Sequence, residues 1–482
     1  MLFNSYAFIF LFLPLSFLLY FYLNHRGLAF PAKLALLASS LFFYSWWNII
    51  YLPLILFSIG FNYAVGRYIG KNTAPGLIGK KPLLIFGLAV NVFLLGYFKY
   101  YDFFITNANL LLGTEYSLAH IALPLAISFF TFQQIAYLTD SYSGRVREND
   151  FINYALFVTF FPQLIAGPIV HHREMMPQFA SPESKTLHFE NMAKGIFIFA
   201  IGLFKKVVIA DTFAPWADFG FGDPYGLNLI EAWVASLSFG FQLYFDFSGY
   251  TDMAIGLALL FNVRLPANFK SPYKASNIQE FWKRWHITLS HFLRDYISLP
   301  LKRGRVTLHA NILLTFLISG IWHGAGWTFV VWGLMHGMAL VMQDVWRRLG
   351  YGMPMLVAWF ITFNFLNATR VFFRAESVPD AMQVLRTMVS GTVVLPGRLE
   401  GSFGFLSAWG VEFGNYLAHL RTGSGAIVAL VLAFVLILRF KNASELTADM
   451  VPDKKSVVFT ALLLTVSMAY LYREVQFYYF IF

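Results

Sequence analysis

The chain has 482 residues, of which 58% are hydrophobic and only 12% are charged, and its formal net charge is +10. A soluble domain carries roughly 25% charged residues, so this composition excludes an ordinary water-soluble enzyme and predicts a protein built from membrane-spanning helices. Cysteine is absent, which excludes disulfides, thiolate metal sites and an acyl-cysteine intermediate.

The first five apolar runs predict five membrane spans. They cover residues 6–23, 34–47, 52–65, 83–104 and 121–138. The first run is followed by no small-residue cleavage site, so we interpret it as a retained helix. Lysine and arginine occur in the loops 25–33, 67–81 and 144–147 but not in the loop 105–120. Because cytoplasmic loops are rich in these residues, the alternation predicts an amino terminus outside the cytoplasm.

From residue 151 the pattern becomes less regular. The apolar run 151–170 contains two prolines and a glycine, which predicts a broken helix that is buried in protein or lines a wet cavity. The run 192–209 predicts another span. The run 232–261 contains Asp246 and Asp252, and we interpret 246–252 as a second break, with a polar cavity or a structural hydrogen-bond network around these carboxylates.

The segment 264–305 holds the largest cluster of basic residues, nine in all. Its middle predicts one amphipathic helix that lies in the cytoplasmic interface, or a re-entrant helix that dips into it and returns. The apolar face of that helix consists of Trp282, Trp285, Leu289, Phe292 and Tyr296. The polar face consists of Gln279, Lys283, His286, Ser290 and Arg294. These cations have two possible roles at this stage: to meet anionic headgroups on the cytoplasmic side, or to hold the phosphates of a nucleotide-like donor.

The stretch 319–327 is the leading candidate for a reactive site. It places His323 between two tryptophans and three glycines, and apolar runs lie on both sides. A histidine at that depth is costly, and the glycines predict a helix break there. The alternative is a buried histidine that packs two helices. Of the other histidines in apolar surroundings, His286 and His336 are weaker candidates, and Asn364 and Asn367 are typical of polar contacts between helices.

The remaining apolar runs complete an all-α polytopic membrane protein of about eleven spans. They cover 330–345, 355–372, 426–438 and 457–471, and the loop 374–424 has no assigned side. We predict a single integral-membrane domain, 1–482, with its core motifs at about 120–375 and carboxyl-terminal helices at 425–482. His171 and His172 have no spacing typical of a metal site, so no metal is expected.

Several ordered motifs resemble the membrane-bound O-acyltransferase (MBOAT) family, and most closely its bacterial branch that acetylates exopolysaccharides such as alginate. The matching segments are 163–169, 244–254, 268–273, 281–290, 292–296 and 320–324. The resemblance covers roughly residues 1–375. It implies a ring of spanning helices around a thinner centre that is crossed by a tunnel.

The resemblance also implies the chemistry. The family's catalytic histidine falls on His323 and its second histidine on His286. Acetyl-CoA would be the donor substrate on the cytoplasmic side of the bacterial inner membrane, with no bound cofactor. The residues expected to bind the donor or line the tunnel are Trp322, Trp285, Lys283, Arg284, Ser290, Arg294, Asp246, Ser248 and Tyr250.

The partners implied by the resemblance lie mostly on the far side of the membrane. They are a periplasmic hydrolase-like (SGNH-type) acetyltransferase and a polysaccharide synthesis or secretion complex, besides membrane lipids and no nucleic acid. The polymer stays open between alginate, cellulose and peptidoglycan. So does the role of His323, which would act either as a general base or as a transient acyl carrier.

Two other classes of function stay open from the sequence. The predicted breaks near 162–168 and 246–252 are compatible with a transporter or channel-like component of a polysaccharide secretion complex, although we find no inverted repeat. A scaffold of such a complex, without chemistry of its own, would need its surface loops but not His323.

Overall fold

The computed structural model describes residues 1–71, 79–146 and 150–472 of the chain. Helices form nearly all of its regular structure, so the predicted all-α membrane fold is confirmed. Five described helices are long and apolar enough to cross a membrane: Phe8–His25, Ile49–Lys71, Lys80–Leu112, Trp327–Arg348 and Met355–Arg374. Three shorter apolar helices are Ala29–Ser45, Leu308–His323 and Gly425–Arg439. The expected total of about eleven spans stays a prediction.

The amino-terminal third follows the predicted order of apolar helices. Its helices are α1 (Leu13–His25, preceded by the π-helical turn Phe8–Phe12), α2 (Ala29–Ser45), α3 (Leu52–Lys71), α4 (Lys80–Leu95), α5 (Tyr101–Leu112) and α6 (Ile127–Tyr142). A short 3-10 turn, Ile49–Tyr51, precedes α3. A π-helical turn, Gly96–Tyr100, joins α4 to α5 so that the two form one long apolar rod. Such turns widen a helix locally and often occur at functional sites.

The middle of the chain contains the predicted break and one correction. Its helices are α7 (Phe151–Thr159), α8 (Phe161–Leu164), α9 (His172–Ala180), α10 (Phe189–Phe204), α11 (Asp211–Gly222) and α12 (Leu229–Leu260), with the 3-10 turn Pro182–Lys185 and the π-helical turn Lys205–Ala210 between them. After α8 the chain is irregular up to α9 and fully buried, as predicted. The break predicted at 246–252 is wrong, because α12 runs through it without interruption.

The segment expected to form one amphipathic helix is divided in two, which corrects that prediction. It forms α13 (Ile278–Trp282) and α14 (Ile287–Leu293), followed by the π-helical turn Arg294–Ser298 and α15 (Leu299–Arg303). Between α13 and α14, His286 has a left-handed backbone with φ of 43°. The cause is tertiary, because the 283–287 turn hydrogen-bonds to the chain at 268–270 through its own backbone.

The helices after this turn form a hairpin and a third helix beside it. They are α16 (Leu308–His323), α17 (Trp327–Arg348) and α18 (Met355–Arg374). Gly320 of α16 and Gly333 of α17 touch backbone to backbone, since a Cβ at Gly320 would lie 2.4 Å from the Phe329 carbonyl oxygen. Small residues allow helices to cross this closely in membranes. Here the contact between Gly320 and Gly333 holds the end of α16 against α17.

We expect Gly333→Val to force α16 and α17 apart. A Cβ at Gly333 would lie 2.4 Å from the Phe316 carbonyl oxygen, so the valine should destabilise the protein by about 1–3 kcal/mol or more. Thermal unfolding in detergent measures the effect. Gly60→Ala is the control, because a Cβ at Gly60 meets nothing within 4 Å. Equal stability of the Gly333→Val variant and the wild type would contradict the close crossing.

The carboxyl-terminal part is more structured than the expected loop 374–424. It contains α19 (Val378–Ser390), α20 (Glu400–Phe403), α21 (Gly425–Arg439), α22 (Ala443–Ala448) and α23 (Lys454–Tyr470). The strands β1 (Val393–Pro396) and β2 (Val411–Gly414) pair in parallel, with Val393 opposite Val411. The last ten residues of the predicted 425–482 segment lie outside the described residues.

Candidate active site

His323 is the last residue of α16, and the chain turns directly after it. Gly324 continues in an extended conformation, and a Cβ there would overlap the Phe329 ring at 2.1 Å, so only glycine fits this turn. The helix break predicted from the three glycines is therefore confirmed. The His323 side chain lies inside the protein, because the residue is only 4% exposed.

Aromatic rings surround the His323 imidazole and leave one small cavity beside it. The imidazole centroid lies 4.9 Å from the rings of Trp322 and Trp332 and 5.3 Å from the ring of Phe373. The cavity, of about 20 Å³, borders His323, Trp285 and Arg370 among other residues. A cavity of this size holds about one water-sized group. The imidazole therefore has a protected reaction space and is not fully surrounded by hydrocarbon.

Lys99 holds the end of the helix that carries His323. Its ammonium donates to the backbone carbonyls of Trp322, at 2.6 Å, and of His323, at 3.1 Å. The neighbouring Tyr100 hydroxyl donates to the carbonyl of Ile321. Both residues belong to the π-helical turn between α4 and α5. The last carbonyls of a helix have no partner within the helix and carry partial negative charge, so this cation satisfies them and fixes the backbone at His323.

We expect Lys99→Met to loosen this end of α16. The variant keeps the length of the side chain but removes a charged donor from two buried carbonyls, which costs about 1–3 kcal/mol. Thermal unfolding in detergent measures the loss. Tyr100→Phe, which removes one neutral donor from the same turn, is the graded comparison. A smaller loss for Lys99→Met than for Tyr100→Phe would contradict this assignment.

The second histidine, His286, is held by Asn268. Nδ1 of His286 lies 3.2 Å from Oδ1 of Asn268, and the same oxygen accepts the backbone N–H of Thr288 at 3.1 Å. Because that N–H requires an acceptor, the oxygen of the amide faces the ring, and Nδ1 of a neutral His286 donates to it. Nε2 then carries the lone pair of the imidazole. The Thr288 hydroxyl accepts the N–H of Ile169, which ties the irregular chain after α8 to this histidine.

The two histidines meet at one indole. The Trp322 ring lies 4.9 Å from His323 and 6.4 Å from His286, and it stacks on Phe132 of α6 at 4.8 Å. On the other side of His286, Phe247 of α12 lies 4.8 Å away. The fold thus brings together the two histidines that the sequence singled out, although they lie on different elements 37 positions apart in the chain.

A second, larger cavity lies beside the 283–294 segment. Its volume is about 390 Å³, and its polar lining residues are Gln279, Lys283, Ser290, His291, Arg294, Ser298 and Thr315. Trp282, Phe316 and His336 separate it from the His323 cavity, with Trp282 and His336 facing each other at 5.3 Å. The Trp282 N–H donates to Nδ1 of His336 at 3.3 Å, so this histidine has a partner in the wall.

Of the predicted donor residues, three line this larger cavity and one lines the His323 cavity. Lys283, Ser290 and Arg294 border the larger cavity, and Trp285 borders the smaller one. Arg284, in contrast, forms an ion pair with Glu280 at 2.8 Å and lines neither cavity.

The three predicted residues of α12 make their contacts elsewhere. Asp246 forms an ion pair with Lys206 at 3.0 Å, and the Tyr250 ring stacks on Phe3 at 4.6 Å. The Ser248 hydroxyl is buried and has no hydrogen-bond partner among the described residues. It is Leu243 and Phe247, one turn apart on another side of α12, that face the histidine cavity and His286.

Asp140, near the end of α6, contacts a further group of polar side chains. It pairs with Arg145 at 3.1 Å and accepts the Tyr296 hydroxyl at 2.9 Å. Burial lowers the pKa of His171 and of His172 to about 4, so both rings are neutral at pH 7. Arg145 is then the cation that balances Asp140.

Three residues of the site were not predicted from the sequence: Lys99, Asn268 and Arg370. A signal existed for two of them, because Lys99 and Arg370 are charged residues within apolar runs, where such residues face the protein interior. Asn268 begins the matching segment 268–273, but its role was not predicted because it depends on the turn that brings it to His286.

The chain matches a known family of membrane proteins over most of its length. Residues 10–374 match the membrane-bound O-acyltransferase family. The chain is 48% identical to a peptidoglycan O-acetyltransferase of Helicobacter pylori, over 99% of this chain and 96% of that protein. It is 37% identical to a probable alginate O-acetylase of Pseudomonas aeruginosa, over 92% of this chain and 82% of that protein. A teichoic acid D-alanyltransferase of Bacillus subtilis is 25% identical over half of this chain.

The family match extends over three quarters of the sequence and includes α16 with His323, and the helices have the apolar character that a multi-pass membrane protein requires. The resemblance seen in the motifs is therefore confirmed: the chain belongs to the membrane-bound O-acyltransferase family and is a membrane-bound acyltransferase.

Proposed function

We propose that this protein takes acetyl groups from acetyl-CoA at the cytoplasmic face of the inner membrane and passes them across it for the O-acetylation of an envelope polysaccharide. The observation that carries the proposal is His323, a buried imidazole beside a small cavity at the fixed end of α16. The H. pylori relative, 48% identical along almost its whole length, favours peptidoglycan as the polymer.

His323 would act as the general base. Its ring takes the proton of an acceptor hydroxyl as that oxygen attacks the acetyl carbonyl carbon, and it returns the proton to the departing thiolate. Since His323 is only 4% exposed, few water molecules would reach an acetyl group beside it, which limits hydrolysis. In the alternative route the imidazole carries the acetyl group briefly, and the protein itself would then become labelled.

The larger cavity would receive the donor. Lys283 and Arg294, which also pairs with Asp295 at 2.7 Å, line it and would provide positive charge for the phosphates of CoA, while its apolar walls suit the pantetheine arm. Two residues of α16, Ile312 and Phe316, line the larger cavity. They lie two to three helical turns before His323, a distance of about 10–17 Å along the helix axis. Because Trp282 stands between the two cavities, the indole would turn aside as the thioester enters.

The orientation follows from the charged ends of the helices. With the amino terminus in the periplasm, Lys71, Lys80 and Arg347–Arg348 would lie at cytoplasmic helix ends, and the usual excess of lysine and arginine on that side supports this orientation. On that side we propose a hydrolase-like acetyltransferase as the partner that transfers the acetyl group to the polymer. The Pseudomonas relative supports alginate as a second candidate polymer.

Reconstitution in sealed vesicles tests the proposal. Acetyl-labelled CoA is supplied on one side only, and label is followed on CoA, on the protein and on a hydroxyl acceptor, such as a muropeptide with a purified periplasmic acetyltransferase, on the other side. We expect label to leave CoA and to appear on the far side. Retention of all label on CoA with a correctly folded protein would refute acetyl transfer. Label on alginate oligomers but not on muropeptides would favour the second polymer.

A further inference from the structure

Arg370 is a buried cation in the part of α18 that faces the site. The residue is only 5% exposed, and its guanidinium lies over the rings of Tyr273, at 4.7 Å, and Trp285, at 5.7 Å. A Cβ at Gly240 of α12 would lie 3.3 Å from its Nη1, so the guanidinium fits closely against the bare backbone of that helix.

No anion of the protein balances this charge in the described ranges 1–71, 79–146 and 150–472. Arg370 forms no ion pair there, and its Nη2 has no hydrogen-bond partner. The amide of Asn367, one turn earlier, is also buried without a partner in the same part of the chain. An unpaired buried charge costs several kcal/mol, whereas cation–π contacts return only about 2 kcal/mol. The guanidinium therefore has unused capacity to bind negative charge.

The position of Arg370 limits what that negative charge can be. Arg370 and His323 both line the cavity of about 20 Å³, so a group bound there lies beside both residues. The cavity holds about one water-sized atom group, so a phosphate with its four oxygens does not fit, and the rest of an acyl group would enter only with the Trp282 indole turned aside. A single oxygen next to the reacting imidazole fits. In acyl transfer, one such oxygen becomes negative: the carbonyl oxygen of the acyl group.

We propose that Arg370 is a further catalytic residue that binds the carbonyl oxygen of the transferred acyl group and stabilises its negative charge; this rests on the proposed acetyl transfer. When the acceptor oxygen bonds to the carbonyl carbon, His323 takes the hydroxyl proton and the electron pair of the C=O bond moves to the oxygen beside Arg370. That pair then re-forms the double bond, the carbon–sulfur bond breaks, and the thiolate takes the proton from the imidazolium. A donor fixed in advance at such an oxygen stabilises the transition state more than the ground state.

The test compares Arg370→Gln and Arg370→Lys with Arg374→Gln in the vesicle assay with labelled acetyl-CoA. Arg374 lies one turn later on α18 and pairs with Asp218 at 2.8 Å, so its loss removes a charge from the same helix outside the cavity. For Arg370→Gln we expect kcat to fall about 10²–10³-fold, as for loss of one oxyanion donor. The KM for acetyl-CoA should change by less than about threefold, because the lost contact forms mainly in the transition state.

The conservative and rescue measurements separate catalysis from packing. Arg370→Lys, which keeps the charge, should recover at least about tenfold of the loss in kcat, and added guanidinium should raise the kcat of Arg370→Gly. A kcat of Arg370→Gln within about threefold of wild type would overturn the inference, and so would equal losses in Arg370→Gln and Arg374→Gln. If Arg370→Gln fails to fold, the lysine variant and the guanidinium rescue decide: a kcat of Arg370→Lys lower by 10²-fold or more, with no rescue, also overturns it. A wild-type protein that transfers no label would instead refute the proposed function.

Discussion

Replacing His323 with alanine is expected to lower the rate of acetyl transfer by about 10²–10⁴-fold, the contribution of a positioned general base. The imidazole borders the small cavity beside its helix end, and no other residue of α16 lines that cavity. The fold should survive, since the ring makes aromatic contacts but the helix end is held by Lys99 through backbone atoms. Labelled acetyl transfer in vesicles, together with thermal unfolding, measures both effects.

His309 provides the matched control. It lies at the other end of the same helix, with its side chain 42% exposed and 3.2 Å from Asp344. His309→Ala should keep acetyl transfer within about threefold of wild type, as for a surface position away from the chemistry. If His323→Ala kept full transfer, or if both alanine variants lost activity to the same degree, the assignment of His323 would be wrong.

Replacing Lys206 with methionine is expected to destabilise the protein by about 3–5 kcal/mol, the usual effect of breaking a buried ion pair from one side. The Lys206 ammonium lies 2.7 Å from Asp211 and 3.0 Å from Asp246, and all three side chains are no more than 3% exposed. Methionine matches the volume of the lysine stem but leaves two buried carboxylates without their cation. Unfolding in detergent, followed by heat or denaturant, gives the loss.

Two further variants check the physical reason. Lys194→Met removes a more exposed lysine of α10 from an i, i+4 pair with Glu190, and should change stability by less than about 1 kcal/mol. The triple variant Lys206→Met, Asp211→Asn, Asp246→Asn should be more stable than Lys206→Met alone, because it also removes the unbalanced negative charges. A triple variant less stable than the single one would show that charge balance is not the cause.

Local sequence patterns predicted those features of the fold that depend on local chemistry. The apolar runs identified the five described helices that are long and apolar enough to cross a membrane, and the glycines after His323 marked the end of α16 correctly. Both signals depend on residues next to each other in the chain. The buried, irregular segment after α8 was also predicted, since its prolines and glycine cannot continue a helix.

The predictions that were wrong or missing all depend on contacts between residues that are far apart in the chain. Asp246 and Asp252 suggested a broken helix, but Lys206 and Lys205, on the segment after α10, balance them and allow α12 to stay intact. The periodicity of residues 279–296 suggested one helix, but Asn268 and its neighbours bind the turn at His286 through their backbone. Arg370 and Lys99 were overlooked because the role of Arg370 depends on the cavity that it lines, and the role of Lys99 depends on the end of α16 that it contacts.

The length and burial of α12 have a consequence for how this protein is made. Its 32 residues extend for about 48 Å, well beyond a hydrocarbon layer of about 30 Å, and nearly all of its side chains are covered by other helices. Lipid therefore does not solvate this helix in the finished protein. Its acidic residues make insertion of α12 into the membrane on its own unfavourable. It follows that α12 reaches its place only together with α10, α11 and the π-helical turn between them, because Lys205 and Lys206 of that turn neutralise its aspartates. Mutations of these lysine–aspartate pairs should therefore lower the amount of protein inserted into the membrane, even where the protein that can be purified is stable.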